Sequence, residues 1–492
     1  MRLYPHQAEN ARRLTDIITR RRCALDMSNT GTGKTYSALA ACRFLGLRPF
    51  IVCPKSTISK WKYLASVFGL KPIFVTNYED LKFNAHQFCH IPRGYKPAFI
   101  HKFYHEGIEN PPPCRYGFTY AFPTFAEALA ALGLNETSLA QWEMLKRKSF
   151  PRGRCRAHGS FTWKLYPDHL LFIFDEVQRC KGEASINCKM LMAAKKYRVL
   201  ALSATPGVLP WDFKALGYVF GLYQAGEYKE WLERHGVKRG FFREYKITAA
   251  PAHLTDLHRE LAPYSVRTRI EDLESGIFKE NFVSVELIDV PQWQQQNELY
   301  EALQAQIARL RRAGASTMEV LVQVLRYRQA AELFKVPALV EMAGDYVSGG
   351  FSVVVFCNFT DTLKALAASL EAVTVYGQQS DAERSYNLAH FQANKVPICI
   401  CNIAAGGVGV DLHDLHGGHP RVALHCPTYD AIAFKQALGR IHRAGARSPA
   451  QQRILCAAGT IEEKKVKPSL EKKLACIDLI VDGDLSEGVE NV

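Results

Sequence analysis

SNTGTGKT, Ser28–Thr35, lies between the apolar run RRCALDM and the segment YSALAACRFLGL. The flanks predict a strand that runs into a tight turn and a helix that starts from it. Gly31 and Gly33 let the backbone curl so that successive N–H groups converge, and the helix N-terminus behind them adds its partial positive charge. A turn of this kind takes phosphate. The spacing lets Lys34 reach the β- and γ-phosphates of a nucleotide and puts the Thr35 hydroxyl on Mg²⁺, with Ser28, Asn29, Thr30 and Thr32 completing the loop. The strict pattern has Gly five places before the last Gly, where this chain has Ser28.

About 140 residues further on, LLFIFDEVQRCK (170–181) sets five apolar residues against Asp175 and Glu176. LLFIF suits a central parallel strand buried on both faces, whose end would project Asp175 beside the phosphates. Asp175 is then placed to hold Mg²⁺ through water, and Glu176 to orient and deprotonate the water that attacks the γ-phosphate. VLALSATP (199–206) predicts another buried strand, followed by Ser203 and Thr205.

A second series of short buried strands begins near residue 351: FSVVVFCNF, EAVTVYG, VPICICNIA, RVALHCP and QRILCAA. Helix-like segments separate them, so a second α/β lobe without a phosphate loop is expected. Near its end QALGRIHRAG (436–445) carries Gln436, Arg440 and Arg443 at roughly helical spacing, as if on one face. Guanidinium groups entering from this lobe would stabilise charge on a transferring phosphoryl, making hydrolysis depend on closure. IAAGGVGVDL (403–412) offers Gly406, Gly407 and Gly409 for close backbone approach to phosphate, with Asp411 for a ribose or an arginine.

In this order the segments resemble the motifs of a superfamily 2 helicase or translocase of the Swi/Snf type, nearest the annealing-helicase subgroup. VCPKSTISKW (52–61), VTNYEDL (75–81), TIEEK (460–464) and LYPHQ (3–7) are similar to further segments of that family. The resemblance implies an α/β fold of two RecA-like parallel-sheet lobes with helical insertions. Lobe 1 is expected over 1–225 with an insertion at about 82–168, a largely helical region over 226–345, lobe 2 over 346–465 and a C-terminal extension over 466–492. It also implies Gln7 at the adenine edge, Gly409 and Asp411 at the nucleotide, and Ser203 and Thr205 in a network linking ATP to nucleic acid. Lys55, Ser56 and Thr76 on lobe 1, and Asn358 and Thr360 on lobe 2, are the implied phosphate-backbone contacts. Two departures stand out. Gln178 replaces the usual His, keeping donor and acceptor without titrating near neutral pH, and Asp411 replaces Asn.

The implied function is ATP-dependent movement along, or remodelling of, duplex or branched DNA, with ATP and Mg²⁺ as cofactors. Strand separation on DNA or RNA, or a weakly hydrolysing ATP-gated nucleic-acid binder, stays open. Lys and Arg exceed Asp and Glu by 62 to 48, a net +14 that favours a polyanionic partner. No apolar run is long enough to span a bilayer and no secretory leader is evident, so a single-chain motor inside the cell, in cytoplasm or nucleus, is expected. The 14 cysteines are scattered, several within strands (Cys53, Cys357, Cys399, Cys401), and read as reduced thiols. The insertion includes PPPCRYGFTYAFPTF and the basic, aromatic RKSFPRGRCRAHGSFTWK, which suits a nucleic-acid contact or a plain surface excursion. His101, His105, Cys114, Cys155 and His158 are too irregularly spaced to predict zinc.

Overall fold

The computed structural model describes residues 3–83, 88–90, 161–239, 245–248, 250–273, 276–290, 293–312, 317–403 and 410–483. In chain order the first lobe has strands β1 (Cys23–Asp26), β2 (Arg48–Cys53), β3 (Phe74–Asn77), β4 (Cys89–His90), β5 (Thr162–Trp163), β6 (Leu170–Asp175), β7 (Arg198–Leu202), β8 (Val237–Arg239), β9 (Tyr245–Ile247) and β10 (Ser265–Val266). The main sheet has the order β10-β1-β7-β6-β2-β3, with every neighbouring pair parallel. β4 with β5, and β8 with β9, form small antiparallel pairs.

LLFIF shows why a continuous apolar run is needed. Alternate side chains of a strand point to opposite faces. Leu170, Phe172 and Phe174 enter one core, and Leu171 and Ile173 enter the core on the other face. All five are fully buried, and each such side chain stabilises the fold by roughly 1.5–3 kcal/mol.

The second lobe repeats the plan with β11 (Asn281–Ile288), β12 (Ser352–Cys357), β13 (Ala372–Val375), β14 (Ile398–Asn402), β15 (Arg421–His425) and β16 (Ala450–Ala457). The order is β11-β16-β15-β12-β14-β13, again wholly parallel. In β12, Val353, Val355 and Cys357 face one core and Val354 and Phe356 the other. The helices Trp293–Arg312 and Thr317–Leu333 pair through Leu303, Ile307, Tyr327 and Ala331.

The chain divides differently from the expected boundaries in two places. The 226–345 stretch supplies an edge strand to each sheet, β10 to the first and β11 to the second. The residues after 466 are no appendage: the helix Lys467–Asp482 buries Leu470, Ile477 and Ile480 in the same core as Leu254, Leu257 and Leu261 of the helix Ala250–Leu261. At its end the Asp482 side chain, 3% exposed, pairs with Arg267 at 2.8 Å and Arg269 at 2.9 Å. Among the described residues no helix is long and apolar enough to cross a membrane, and the described cysteines are buried without a disulfide.

Candidate active site

β1 ends at Asp26 and the chain turns through Ser28–Gly33 into the helix Lys34–Phe44. Gly31 and Gly33 adopt φ of +90° and +96°, which L side chains rarely tolerate. A Cβ on Gly33 would also lie 2.2 Å from the Gln7 amide nitrogen. Lys34 Nζ donates to the carbonyls of Ser28 at 2.7 Å and Asn29 at 3.1 Å, so it holds the loop from inside. Burial pushes the Lys34 ammonium below its ordinary range, against the pull of Asp26, Glu176 and Asp175. Thr35 follows in the helix's first turn.

Ser28 explains its own departure from glycine. Its side chain is fully buried, and its hydroxyl accepts from Thr268 N at 3.1 Å and Asn10 Nδ2 at 3.3 Å. Asn10 also reaches the Thr268 hydroxyl at 2.8 Å, and Arg267 donates to the Met27 carbonyl at 2.8 Å. The phosphate loop is therefore braced by the segment after β10, more than two hundred residues away. No local pattern in the sequence marks Asn10, Arg267 or Thr268; their role comes from β10 pairing with β1. Gln7 donates to Thr32 O at 3.1 Å and accepts from Tyr4 N at 3.2 Å, so its amide is tied to the loop itself.

At the end of β6, Asp175 Oδ2 accepts from Trp61 Nε1 at 2.9 Å, and the Asp175 carbonyl accepts from Tyr78 at 2.8 Å. Burial first, and Glu176 next, push the Asp175 carboxyl up to about 6. Glu176 has φ 54° and ψ 53°, a left-handed conformation that costs a non-glycine residue on the order of 1–3 kcal/mol and that clusters at functional sites. Its Oε2 accepts from Gln178 Nε2 at 2.6 Å and from Gln436 Nε2 at 2.9 Å. Ser203 and Thr205, past β7, are buried, with Thr205 N donating to the Ser203 hydroxyl at 2.9 Å.

The Gln436 bond crosses between lobes. Gln436 lies on the helix Ala431–Leu438, but Arg440 and Arg443 do not share that helix's face, because the helix stops at Gly439. A Cβ at Gly439 would meet Thr30 Cβ at 2.7 Å, and one at Gly31 would meet Arg443 Cγ at 3.3 Å. The break lets the following residues fold over the phosphate loop. Arg440 is 2% exposed and donates to Val410 O at 3.3 Å; burial, with Arg443 adding, pushes its guanidinium down to about 10. Arg443 pairs with Asp411, which also lies 3.6 Å from Lys60 of the first lobe. Although burial opposes it, Arg443 and Lys60 hold the Asp411 carboxyl below the ordinary range. An arginine is thus one partner of Asp411, as one of its two sequence readings expects. Gly406, Gly407 and Gly409 lie outside the described residues, as do the five His and Cys of the insertion and its two quoted segments, save the last residues of the second.

The implied nucleic-acid contacts separate into two kinds. Lys55 and Ser56 are exposed, and Lys55 pairs at 2.9 Å with Asp381 of the second lobe. Thr360 is half-buried at the head of the helix Thr360–Ser369. Thr76 is instead 2% exposed and donates to Asp80 at 2.7 Å, because the helix Tyr78–Phe83 that follows β3 brings Asp80 back beside it. Asn358 donates through its side chain to Glu332 at 2.6 Å and Pro427 O at 3.1 Å, so it braces the exit of β12. TIEEK likewise serves packing: Glu462 binds Lys335, which is fully buried, at 2.9 and 3.0 Å.

Residues 335–445 match the family described as helicase conserved C-terminal domain. A protein of Acanthamoeba polyphaga mimivirus, which carries the provisional name of an ATP-dependent RNA helicase, is 32% identical over 501 residues, covering 98% of this chain and 84% of that protein. The chain belongs to the superfamily 2 helicases. It is therefore a nucleic-acid-dependent ATPase of helicase or translocase type. The helicase is also similar to the Sulfolobus solfataricus SWI2/SNF2 ATPase core in complex with dsDNA, at 16% identity and a TM-score of 0.32, over 99% of this chain and 94% of that one.

Proposed function

We propose that this helicase is an ATP-driven translocase of duplex or branched DNA whose hydrolysis is gated by lobe closure. The observation that carries the gating is the Gln436–Glu176 hydrogen bond, since it ties the second lobe to the carboxylate best placed to activate water. In this reading Glu176 is the general base and Gln178 holds its Oε2 in position. Lys34 leaves the Ser28 and Asn29 carbonyls to meet the β- and γ-phosphates, and Arg440 and Arg443 offset charge on the transferring phosphoryl. The loop N–H groups between Asn29 and Gly33 cradle the phosphate chain.

Mg²⁺ fits the oxygen donors present. Trp61 occupies only Oδ2 of Asp175, and the Thr35 hydroxyl sits at the helix start. Bound there, the ion would neutralise phosphate charge.

Lys55 and Ser56 would face the phosphate backbone. The exposed Lys55–Asp381 pair is worth at most about 1 kcal/mol, so a phosphate can displace Asp381 at little cost. The segments VCPKSTISKW, VTNYEDL and TIEEK support the Swi/Snf branch and thus duplex DNA. The name of the mimivirus relative favours a second reading, in which RNA is the polymer. ATPase assays with duplex DNA, branched DNA, single strands and RNA separate the two: stimulation by RNA alone would replace the DNA reading.

A further inference from the structure

The second lobe holds a cavity of about 160 Å³ that the ATP chemistry does not use. It lies at the carboxyl ends of β12, β15 and β16, beside the paired helices Trp293–Arg312 and Thr317–Leu333. Ligands of parallel sheets gather at such strand ends. Its lining includes the rings of Tyr300, Tyr327, Phe359 and Tyr429, together with Arg328 and Lys465. Tyr300 and Tyr327 meet at 5.5 Å between centroids. The Arg328 guanidinium stands 5.1 Å from the Tyr429 ring and 5.8 Å from Phe359, and Lys465 stands 5.0 Å from Tyr300.

Aromatic faces for stacking with cations for phosphate are the chemistry of an unpaired nucleic-acid strand. Size narrows the ligand, because a cavity of roughly 150 Å³ holds one benzene ring. A single base is of that scale. We propose that the cavity receives one unstacked base of the strand the motor grips. The base lies among the four rings, and its phosphate faces Arg328 and Lys465. This rests on the nucleic-acid motor reading and adds that the bound polymer includes an unpaired stretch. The pocket is also close in sequence to the ATP cleft: Tyr429 precedes Asp430, which caps the helix carrying Gln436 to Glu176.

The test is equilibrium binding of the full chain to oligo-dT, oligo-dA and an abasic strand of equal length and charge. Wild type should bind oligo-dT and oligo-dA each about tenfold more tightly than the abasic strand. Tyr300→Ala should remove the oligo-dT advantage. Tyr300→Phe, which keeps the ring, should retain it, and affinity for the abasic strand should not move in either variant. Equal binding of oligo-dT and abasic strand, or an advantage untouched by Tyr300→Ala or lost in Tyr300→Phe, overturns the pocket while leaving the motor standing; failure of every strand to bind overturns both. Thymidine 5′-monophosphate is the remaining probe. Its binding, if lost in Tyr300→Ala while oligo-dT and abasic strand bind alike, would assign the cavity to a free nucleotide and overturn the strand assignment.

Discussion

Asp482→Asn should weaken both the fold and the grip on nucleotide, although Asp482 lies at the far end of the chain from the phosphate loop. Its carboxylate is 3% exposed and is shared by Arg267 and Arg269, and Arg267 also donates to the Met27 carbonyl just before the loop. Removing one partner of a buried pair costs about 3–5 kcal/mol. The arginine side chains keep 18% and 33% exposure, so hydration offsets part of the loss and the lower end, about 3 kcal/mol, applies. For a cooperative unit of about 200 residues that is a fall of roughly 6–12 °C in Tm. Burial opposes ionisation of Asp482, but the bonds and charges of Arg267 and Arg269 outweigh it and hold the carboxyl below the ordinary 3.8. A depressed acid stabilises above its unfolded value and loses that contribution as pH falls through the folded one. The gap between wild type and variant should therefore be equal at pH 7.5 and pH 5.5, and close only in acid below pH 4. Thermal unfolding at the two pH values, with nucleotide titration at 25 °C, provides the readout. A Tm within 2 °C of wild type, or unchanged nucleotide affinity, would refute the coupling of Asp482 to the loop.

The lobe contact can be probed through Gly439, whose φ of −77° suits any residue, so only the added methyl matters. Gly439→Ala places Cβ 2.7 Å from Thr30 and should lower ATP turnover by about tenfold to a hundredfold. A second change, Thr30→Gly, should restore part of it, and an unimpaired Gly439→Ala enzyme would show that closure onto the loop is not required. Lys34→Ala and Glu176→Gln should each reduce nucleic-acid-stimulated hydrolysis by about a hundredfold or more, with Glu176→Gln keeping nucleotide affinity; steady-state kinetics and nucleotide titration distinguish the two effects. Gln178→His should make turnover depend on a new group near pH 6.5, because protonating the imidazole puts a positive charge beside Glu176 and weakens it as a base. A flat pH profile in that variant would mean that residue 178 does not govern the base.

What could be read from sequence follows the range of the forces involved. Strand–turn–helix at Ser28–Thr35 and the buried run ending in Asp175 are local patterns, and the structure builds both as read. Gln436, Arg440 and Arg443 were visible as a group, but their assumed helical face was wrong, since spacing alone cannot reveal that Gly439 ends the helix where Thr30 presses on it. Thr76 and Asn358 resembled contact residues, yet both spend their polar groups on neighbours: Thr76 on Asp80 of the helix that follows it, and Asn358 on Glu332, which lies on a separate helix. The bracing of Ser28 by Asn10 and Thr268, and of Met27 by Arg267, depends on β10 completing the first sheet. A two-residue strand after a long helical stretch leaves almost no periodic signal.

The most direct measurement is the ATP hydrolysis rate of the intact chain without polymer, then with duplex DNA, branched DNA, single-stranded DNA and RNA at two salt concentrations. Strong stimulation by duplex or branched DNA of unrelated sequences, weakened at the higher salt and absent in Lys34→Ala, is the predicted result. A rate that no polymer raises would contradict the motor itself, and a rate raised only by RNA would contradict the assignment to DNA.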